Sequence, residues 1–456
     1  MAHMGIPAGS AAKPEARRQA MIVSMFSSRT QWKLDPNRFT LAHQAAMSQG
    51  RELIDLTLSN PTQAGIEYDS AAILAALQDS EALNYDPQPK GLLRARAAVA
   101  EYYLKSNISG MPNPTALAKG GLVDPDDIIL ATSTSEGYSF ILRLLCNPGD
   151  EILVPKPSYP LFDFLAELND VKLTGYPLIY DHGWQIDFRS LESTVTERTR
   201  AIIVVHPNNP TGSYVTSTEL DYLNRICSRH DLALIADEVF LDYELPKPSP
   251  DRTAPHPSSS GEDRGVHLPN VLHNEVQHQS FVCNGYALTF TLSGLSKIAA
   301  LPQMKLAWIV VSGPDPQKQA ALERLEIVAD TYLSLNAPVQ LAAKALLNQR
   351  HSIQPQLMSR IGANLSLLDH QLASQRFCAR LISEGGWYAV LRVPATQSDE
   401  DLAVGLLENH SVLVHPGHFY DFPSEGFLVL SLISQPDQFR AGISRLLEFI
   451  DRTHGG

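Results

Sequence analysis

The stretch Val205-His206-Pro207-Asn208-Asn209-Pro210-Thr211-Gly212 closes an unbroken apolar run, Ala201 to Val205, with a polar turn. A β-branched run with no polar alternation reads as a strand buried on both faces, the kind found in parallel sheets covered by helices. Its end at Asn-Pro-Thr-Gly leaves Asn209 at the carboxyl edge of that sheet, where open α/β proteins hold their ligands. An amide there can donate to an oxygen of something bound. Asn-Pro and Thr-Gly are also ordinary turn formers, so the stretch takes its meaning from the rest of the chain.

The pattern recurs on both sides of it. Arg51 to Ser59 reads as a short strand running into the turn Asn60-Pro61-Thr62, and Leu92 to Leu104 reads as a helix. Ile128 to Leu130 ends in the small-residue turn Thr132-Ser133-Thr134-Ser135, after which an amphipathic stretch, Tyr138 to Cys146, begins at once. Glu151 to Val154 stops at Pro157-Ser158-Tyr159-Pro160, and a helical pattern resumes over Leu161 to Leu168. A helix near Ser217 to His230 and the strand Leu232 to Ala236 continue the alternation. Strand and helix in turn predict an α/β fold with a mostly parallel, seven-stranded type of sheet in a large domain, residues 55–320. Residues 34–54 and 321–456, with strand patterns at Gly385–Val393, Val412–Val414 and Phe427–Leu432, predict a smaller α+β domain. Residues 1–33 are expected to form a mobile arm. The stretch 244–270, rich in Pro, Ser, Asp and Arg, is expected to be an exposed insertion.

Composition narrows the function. With 456 residues, 44% hydrophobic and 19% charged, the chain can bury a cofactor between two lobes, and no apolar run is long enough to span a membrane. A net charge of -13 argues against nucleic acid as a partner. Cys146, Cys227, Cys283 and Cys378 have neither C-x-x-C spacing nor His partners at metal distances, so they are expected to be reduced fillers; no metal site is expected, and the cytoplasm is the expected compartment.

Two further strand ends carry chemistry. Leu232 to Ala236 delivers Asp237 to the same edge as Asn209, and a carboxylate at a strand end needs a partner or water. Leu288 to Leu292 ends at Ser293-Gly294-Leu295-Ser296-Lys297, which sets a lysine among small, hydroxyl-bearing residues. Lys297 is the candidate nucleophile.

The order Asn-Pro-Thr-Gly, Asp-Glu-Val, then Ser-x-x-Ser-Lys with Leu-Pro downstream resembles the pyridoxal-phosphate enzymes of fold type I, and more closely the class I and II aminotransferases. The likeness runs from Tyr85 to Ser431. It implies pyridoxal 5'-phosphate as cofactor, with Lys297 forming the internal aldimine and later moving the proton between Cα and C4'. It also implies that Asp237 keeps the pyridine nitrogen protonated, that Asn209 donates to the O3' oxygen, and that Tyr159 stacks on the ring. Ser133, Thr134 and Ser135 match the turn that meets the phosphate at a helix N-terminus, and Lys305 falls where the family usually keeps a phosphate-binding arginine. Tyr85 matches a tyrosine that reaches the phosphate of the neighbouring subunit, so a homodimer with shared active sites is implied. Asn60, in the turn after the first strand, is assigned to the substrate side.

Three positions depart from the family pattern. Phe240 replaces the tyrosine that also donates to O3', which leaves Asn209 alone to serve it and predicts a less acidic aldimine. Gly294 replaces a Ser or Thr that helps bind phosphate, with Ser293 or Ser296 available to compensate. Val429 replaces the arginine that grips the α-carboxylate of the substrate. Either Arg392 takes over that carboxylate, or the amino donor lacks one there. The function expected is amino transfer between an amine or amino acid and a keto acid. The alternatives are a lyase, decarboxylase or cyclase on the same scaffold, and, more remotely, a non-catalytic pyridoxal-phosphate-binding regulator.

Overall fold

The computed structural model describes residues 25–105, 123–246 and 278–454. Most of the expected insertion 244–270 and of the expected arm 1–33 therefore lies outside the described residues. Residues 25–33 are described: Arg29 pairs with Asp170 at 2.6 Å, and Trp32 packs edge-on against Phe164 at 5.5 Å.

The first strand, β1 (Ile54–Asp55), pairs in parallel with β12 (Val412–Leu413), so it belongs with the carboxyl-terminal lobe rather than with the main sheet. Leu56 is fully buried in the cluster that contains Val412, Leu428 and Leu430.

The main sheet holds β2 (Ile128–Ala131), β3 (Glu151–Lys156), β4 (Lys172–Tyr180), β5 (Trp184–Ile186), β6 (Thr199–Val205), β7 (Ala233–Asp237), β8 (Thr289–Gly294) and β9 (Ala307–Ser312). Their order is β2-β9-β8-β7-β6-β3-β4-β5. Neighbours among β4, β3, β6, β7 and β8 are parallel, while β9 runs antiparallel to both β2 and β8. The eighth strand, β5, is a hairpin partner that pairs with Leu178–Tyr180 of β4 and forms the edge of the sheet. β4 escaped the sequence reading because it carries no continuous apolar run: Tyr176 and Leu178 are buried, while Lys172, Gly175 and Ile179 are exposed.

Side chains on successive strand residues point to opposite faces. Ile129, Ile152, Ile203, Ile235 and Phe290 accordingly enter one core with Phe140, Ile141 and Leu322, while Leu153, Ile202, Val204 and Leu234 enter another with Leu223 and Ile226. The second of these is covered by the helix Ser217–His230. That helix starts at a capping box, in which Thr216 accepts from the Glu219 amide and the Glu219 carboxylate accepts from the Thr216 amide, a device that contributes about 1 kcal/mol.

The smaller lobe carries an antiparallel sheet of β10 (Ala379–Arg380), β11 (Tyr388–Arg392), β14 (Phe427–Ser431) and β13 (His415–Pro416), in that order. Helices Arg350–Leu372 and Pro436–His454 close it, with Ile353, Leu357, Phe439 and Ile443 fully buried. The two lobes meet at the turn that follows β6. Gly212 sits there at φ +72, and a Cβ on it would lie 2.6 Å from the Gly385 carbonyl. Its own carbonyl accepts from the amides of Glu384 and Gly385 at 3.0 and 2.9 Å. Only glycine permits both the left-handed turn and this approach.

Candidate active site

The register of the parallel strands gathers the candidate residues. Val205, Asp237 and Leu292 lie side by side at the carboxyl ends of β6, β7 and β8, so the turns that follow carry Asn209, Asp237 and Lys297 to one edge. At the other end of the same edge Ala131, Ala307 and Gly294 are in register, which brings the Ser133–Ser135 turn, Lys305 and Ser296 to its corner.

Lys297 stands in a short helix, Leu295–Ile298, with its Nζ 4.7 Å from the ring centre of Trp387 and 5.3 Å from that of Phe240. Burial against these rings pulls its amine down to about 8, while the nearby Asp237 resists the shift. Burial pushes Asp237 up to about 6. The Val239 amide, the Tyr138 hydroxyl and the charge of Lys297 all act the other way; Val239 and Tyr138 donate to the two carboxylate oxygens at 3.2 and 3.1 Å. An amine and a carboxylate, each shifted toward neutrality and facing one cleft, mark a site built for proton chemistry.

Asn209 is 8% exposed, and its amide oxygen is enclosed without a hydrogen-bond partner among the described residues. A buried amide oxygen left unmatched by the protein calls for a hydrogen-bond donor on a ligand. Tyr159 is exposed at the mouth, its phenol pushed up by burial and then by Asp237. Phe240 is buried and meets Trp387 edge-on at 5.2 Å. The nearby hydroxyl of Tyr243 does not substitute for the phenol missing at 240, since it donates to the Lys297 carbonyl at 2.6 Å.

Ser133 caps the helix Thr134–Leu145 by accepting from the Glu136 amide at 3.1 Å, leaving the amides of Thr134 and Ser135 as first-turn donors. Glu136, in that same turn, is held back by the Thr132 amide, the Thr132 hydroxyl and the Ser334 hydroxyl, all on one carboxylate oxygen. Ser293 is buried and donates to the Glu238 carbonyl at 3.4 Å, whereas Ser296 is only half-buried, so of the two it is Ser296 that keeps a free hydroxyl. Gly294 has its reason in packing: a Cβ there would lie 2.9 Å from that of Ala307, so β8 and β9 leave no room for a hydroxyl side chain. Lys305 is exposed, in a left-handed turn at φ +53, without an ion-pair partner among the described residues.

Arg392 lies at the far end of β11, four residues or roughly 13 Å from Tyr388, exposed and over the Phe427 ring at 5.9 Å. The structure therefore does not bring it to the site. Asn60 spends its side-chain oxygen on the Thr62 amide and hydroxyl at 3.1 and 2.8 Å, as the cap of its own turn. Val429 is 1% exposed, between Val390 and His415 in the small-lobe sheet. Tyr85 is 84% exposed.

Sequence reasoning missed Tyr138 and Trp387. Tyr138 was legible only as an apolar position of an amphipathic helix, yet its hydroxyl reaches Asp237. Trp387 follows Gly385-Gly386, and that pair of glycines ahead of two aromatics was the available signal. The arrangement asks for a planar group with a basic ring nitrogen to meet Asp237, a polar edge beside the Asn209 amide and an anion at a helix N-terminus, and these residues fit pyridoxal phosphate.

Comparison with known proteins agrees. Residues 51–444 match the model of the family aminotransferase class I and II. The chain is 25% identical to the alanine aminotransferase of Mycobacterium tuberculosis over 88% of its length and 86% of that protein. It is 24% identical to the glutamate-pyruvate aminotransferase AlaA of Escherichia coli over 89% of its length and 92% of that protein. Among solved structures, the alanine aminotransferase of Pyrococcus furiosus superposes with a TM-score of 0.77 at 21% identity, covering 94% of this chain and 100% of that one. With its sheet order, its lysine and carboxylate on adjacent strand ends and this match over most of its length, the chain belongs to the class I and II aminotransferases, pyridoxal-phosphate enzymes that move amino groups.

Proposed function

We propose that Lys297 is the residue that both carries the cofactor and moves the proton, and that amino transfer here runs between a small amino donor and a keto acid. The observation that carries this reading is the facing pair, Lys297 drawn down to about 8 and Asp237 raised to about 6, on the ends of neighbouring strands. When bound, pyridoxal phosphate supplies an electron sink and stores the amino group between the two half-reactions. The protein's share is positioning and proton transfer. Asp237, steadied by Tyr138, holds a proton on the ring nitrogen. Asn209 donates to the ring oxygen, and Tyr159 covers one ring face. Lys297, once displaced by the donor's amine, would take the proton from the donor's reacting carbon and return it on the far side of the nitrogen, two bonds away; its lowered affinity for protons gives it a share of free base near neutral pH. Thr134, Ser135, Ser296 and Lys305 would hold the phosphate.

A homodimer belongs to the same reading. Tyr85 and the neighbouring Leu83, 84% and 90% exposed, project from the loop before the helix Leu93–Lys105, which supports a role for Tyr85 at a partner's phosphate. Four free thiols fit a reducing compartment such as the cytoplasm. No described helix is long and apolar enough to cross a membrane. The test is a single-turnover half-reaction: addition of an amino donor to the holoenzyme should convert the cofactor stoichiometrically to its amine form, and a keto acid should reverse it. Release of carbon dioxide or ammonia without that conversion would contradict amino transfer.

A further inference from the structure

The small lobe presents a wall to the cleft, and its chemistry bears on the donor. In an antiparallel pair, opposed residues share a face. Tyr388 opposes Ser431, Val390 opposes Val429, and His415 opposes Val429 from the other side, so Tyr388, Val390, Val429 and His415 share one face. The Tyr388 end of that face borders the site, because the Tyr388 ring lies 6.2 Å from that of Phe240, which itself lies below Lys297. His415 is tied to the wall by a 2.9 Å hydrogen bond between its Nδ1 and the Tyr420 hydroxyl. Its Nε2 has no partner among the described residues. Tyr420 and Tyr388 are buried, and each is raised by burial and then by its tyrosine neighbours, which include Tyr159. Four hydrogen-bonding side chains therefore meet at the cleft, Tyr159, Tyr388, Tyr420 and His415, none of them a cation: burial draws His415 down to about 4, against the pull of Asp55.

Among the described residues, the cations on the elements of this wall are committed elsewhere. Lys156 is paired with Asp421, Arg360 donates to the carbonyls of Ala64 and Ile433, and Arg392 is over Phe427 at the far end of its strand. A carboxylate brought to this wall would meet neutral donors and no fork of charge. A hydroxyl or carbonyl, by contrast, matches an imidazole that can donate or accept.

Resting on the amino-transfer reading above, we propose that His415, held by Tyr420, is a specificity-determining residue that hydrogen-bonds a neutral oxygen on the carbon next to the reacting one, so that the enzyme prefers amino alcohols to α-amino acids. The probes are L-alaninol and L-alanine, which differ only in bearing a hydroxymethyl group or a carboxylate. Half-reactions of the wild-type holoenzyme should run at least tenfold faster with alaninol at equal concentration. His415→Ala should narrow the alaninol-to-alanine ratio at least tenfold, mostly through KM, and Tyr420→Phe, which only frees the imidazole, should narrow it about threefold. Val429→Arg should move the preference toward alanine. Unchanged cofactor absorbance in each variant certifies folding. Faster reaction with alanine in the wild type, or an unaltered ratio in a His415→Ala protein with normal cofactor absorbance, overturns the proposal and leaves amino transfer standing. Failure of both donors to convert the cofactor, singly or together, overturns both.

Discussion

The two sides of the cleft are built on opposite electrostatic plans. The large-lobe edge concentrates ionisable groups, Lys297 and Asp237, whose protons are displaced from their ordinary ranges by burial. The small-lobe wall around Val429 has tyrosines, a neutral histidine and aliphatic side chains. The difference follows from what each side has to do. Chemistry that stores an electron pair on a ring requires fixed charges at fixed distances, and a sheet edge with its strands in register supplies them. Recognition of the donor requires only complementarity, and it can be rewritten residue by residue on a separate sheet. The comparison teaches that family membership speaks for the first side and much less for the second.

It can be broken at the charged side first. Asp237→Asn should lower kcat/KM by roughly 10²–10⁴-fold, because breaking a buried charge pair costs about 3–5 kcal/mol; a loss below tenfold in steady-state kinetics would mean the carboxylate does not hold the ring nitrogen. Next comes pH. A lysine whose folded-state pKa is drawn from 10.5 to about 8 contributes stability that is fully present above 10.5 and lost as pH falls through about 8. The cofactor-free protein should therefore gain on the order of 3 kcal/mol from Lys297 between those limits, a gain absent from Lys297→Met in denaturant titrations at the two pH values. Tyr138→Phe should weaken cofactor binding about tenfold, the worth of one hydrogen bond to a charged group at about 1.5 kcal/mol, read as a dissociation constant by cofactor fluorescence. The smallest effect belongs to Arg392→Ala, whose donor kinetics should stay within about twofold of wild type, as for an exposed residue away from the chemistry.

How far the sequence went depends on the kind of signal each residue leaves. β6 and β7 were legible because strands buried on both faces carry continuous apolar runs, and the polar residues that follow, Asn209 and Asp237, then stand out; β8, with Thr289 and Thr291 among its buried residues, was marked instead by the Ser-rich turn that leads to Lys297. β4 left no such run. Tyr138 was hidden because a tyrosine on the apolar face of a helix reads as packing until the strand carrying Asp237 is laid beside it. His415 was invisible for the same reason: its neighbour across the sheet, Val429, is fixed by strand pairing and not by local pattern. Arg392 looked suitable from charge alone, but the register carries it four residues along β11, away from the cleft. The resemblance supplied roles for the charged side, and the structure sorted Ser296 from Ser293 and found the packing cause of Gly294.

The claim on which all of this depends is that Lys297 carries the cofactor at the edge defined by Asn209 and Asp237. Borohydride reduction of the holoenzyme followed by peptide mass mapping tests it directly. The reduced phosphopyridoxyl group should appear on the peptide bearing Lys297, with visible absorbance lost in step. Its appearance on another lysine, or the same labelling in Lys297→Ala, would contradict the account.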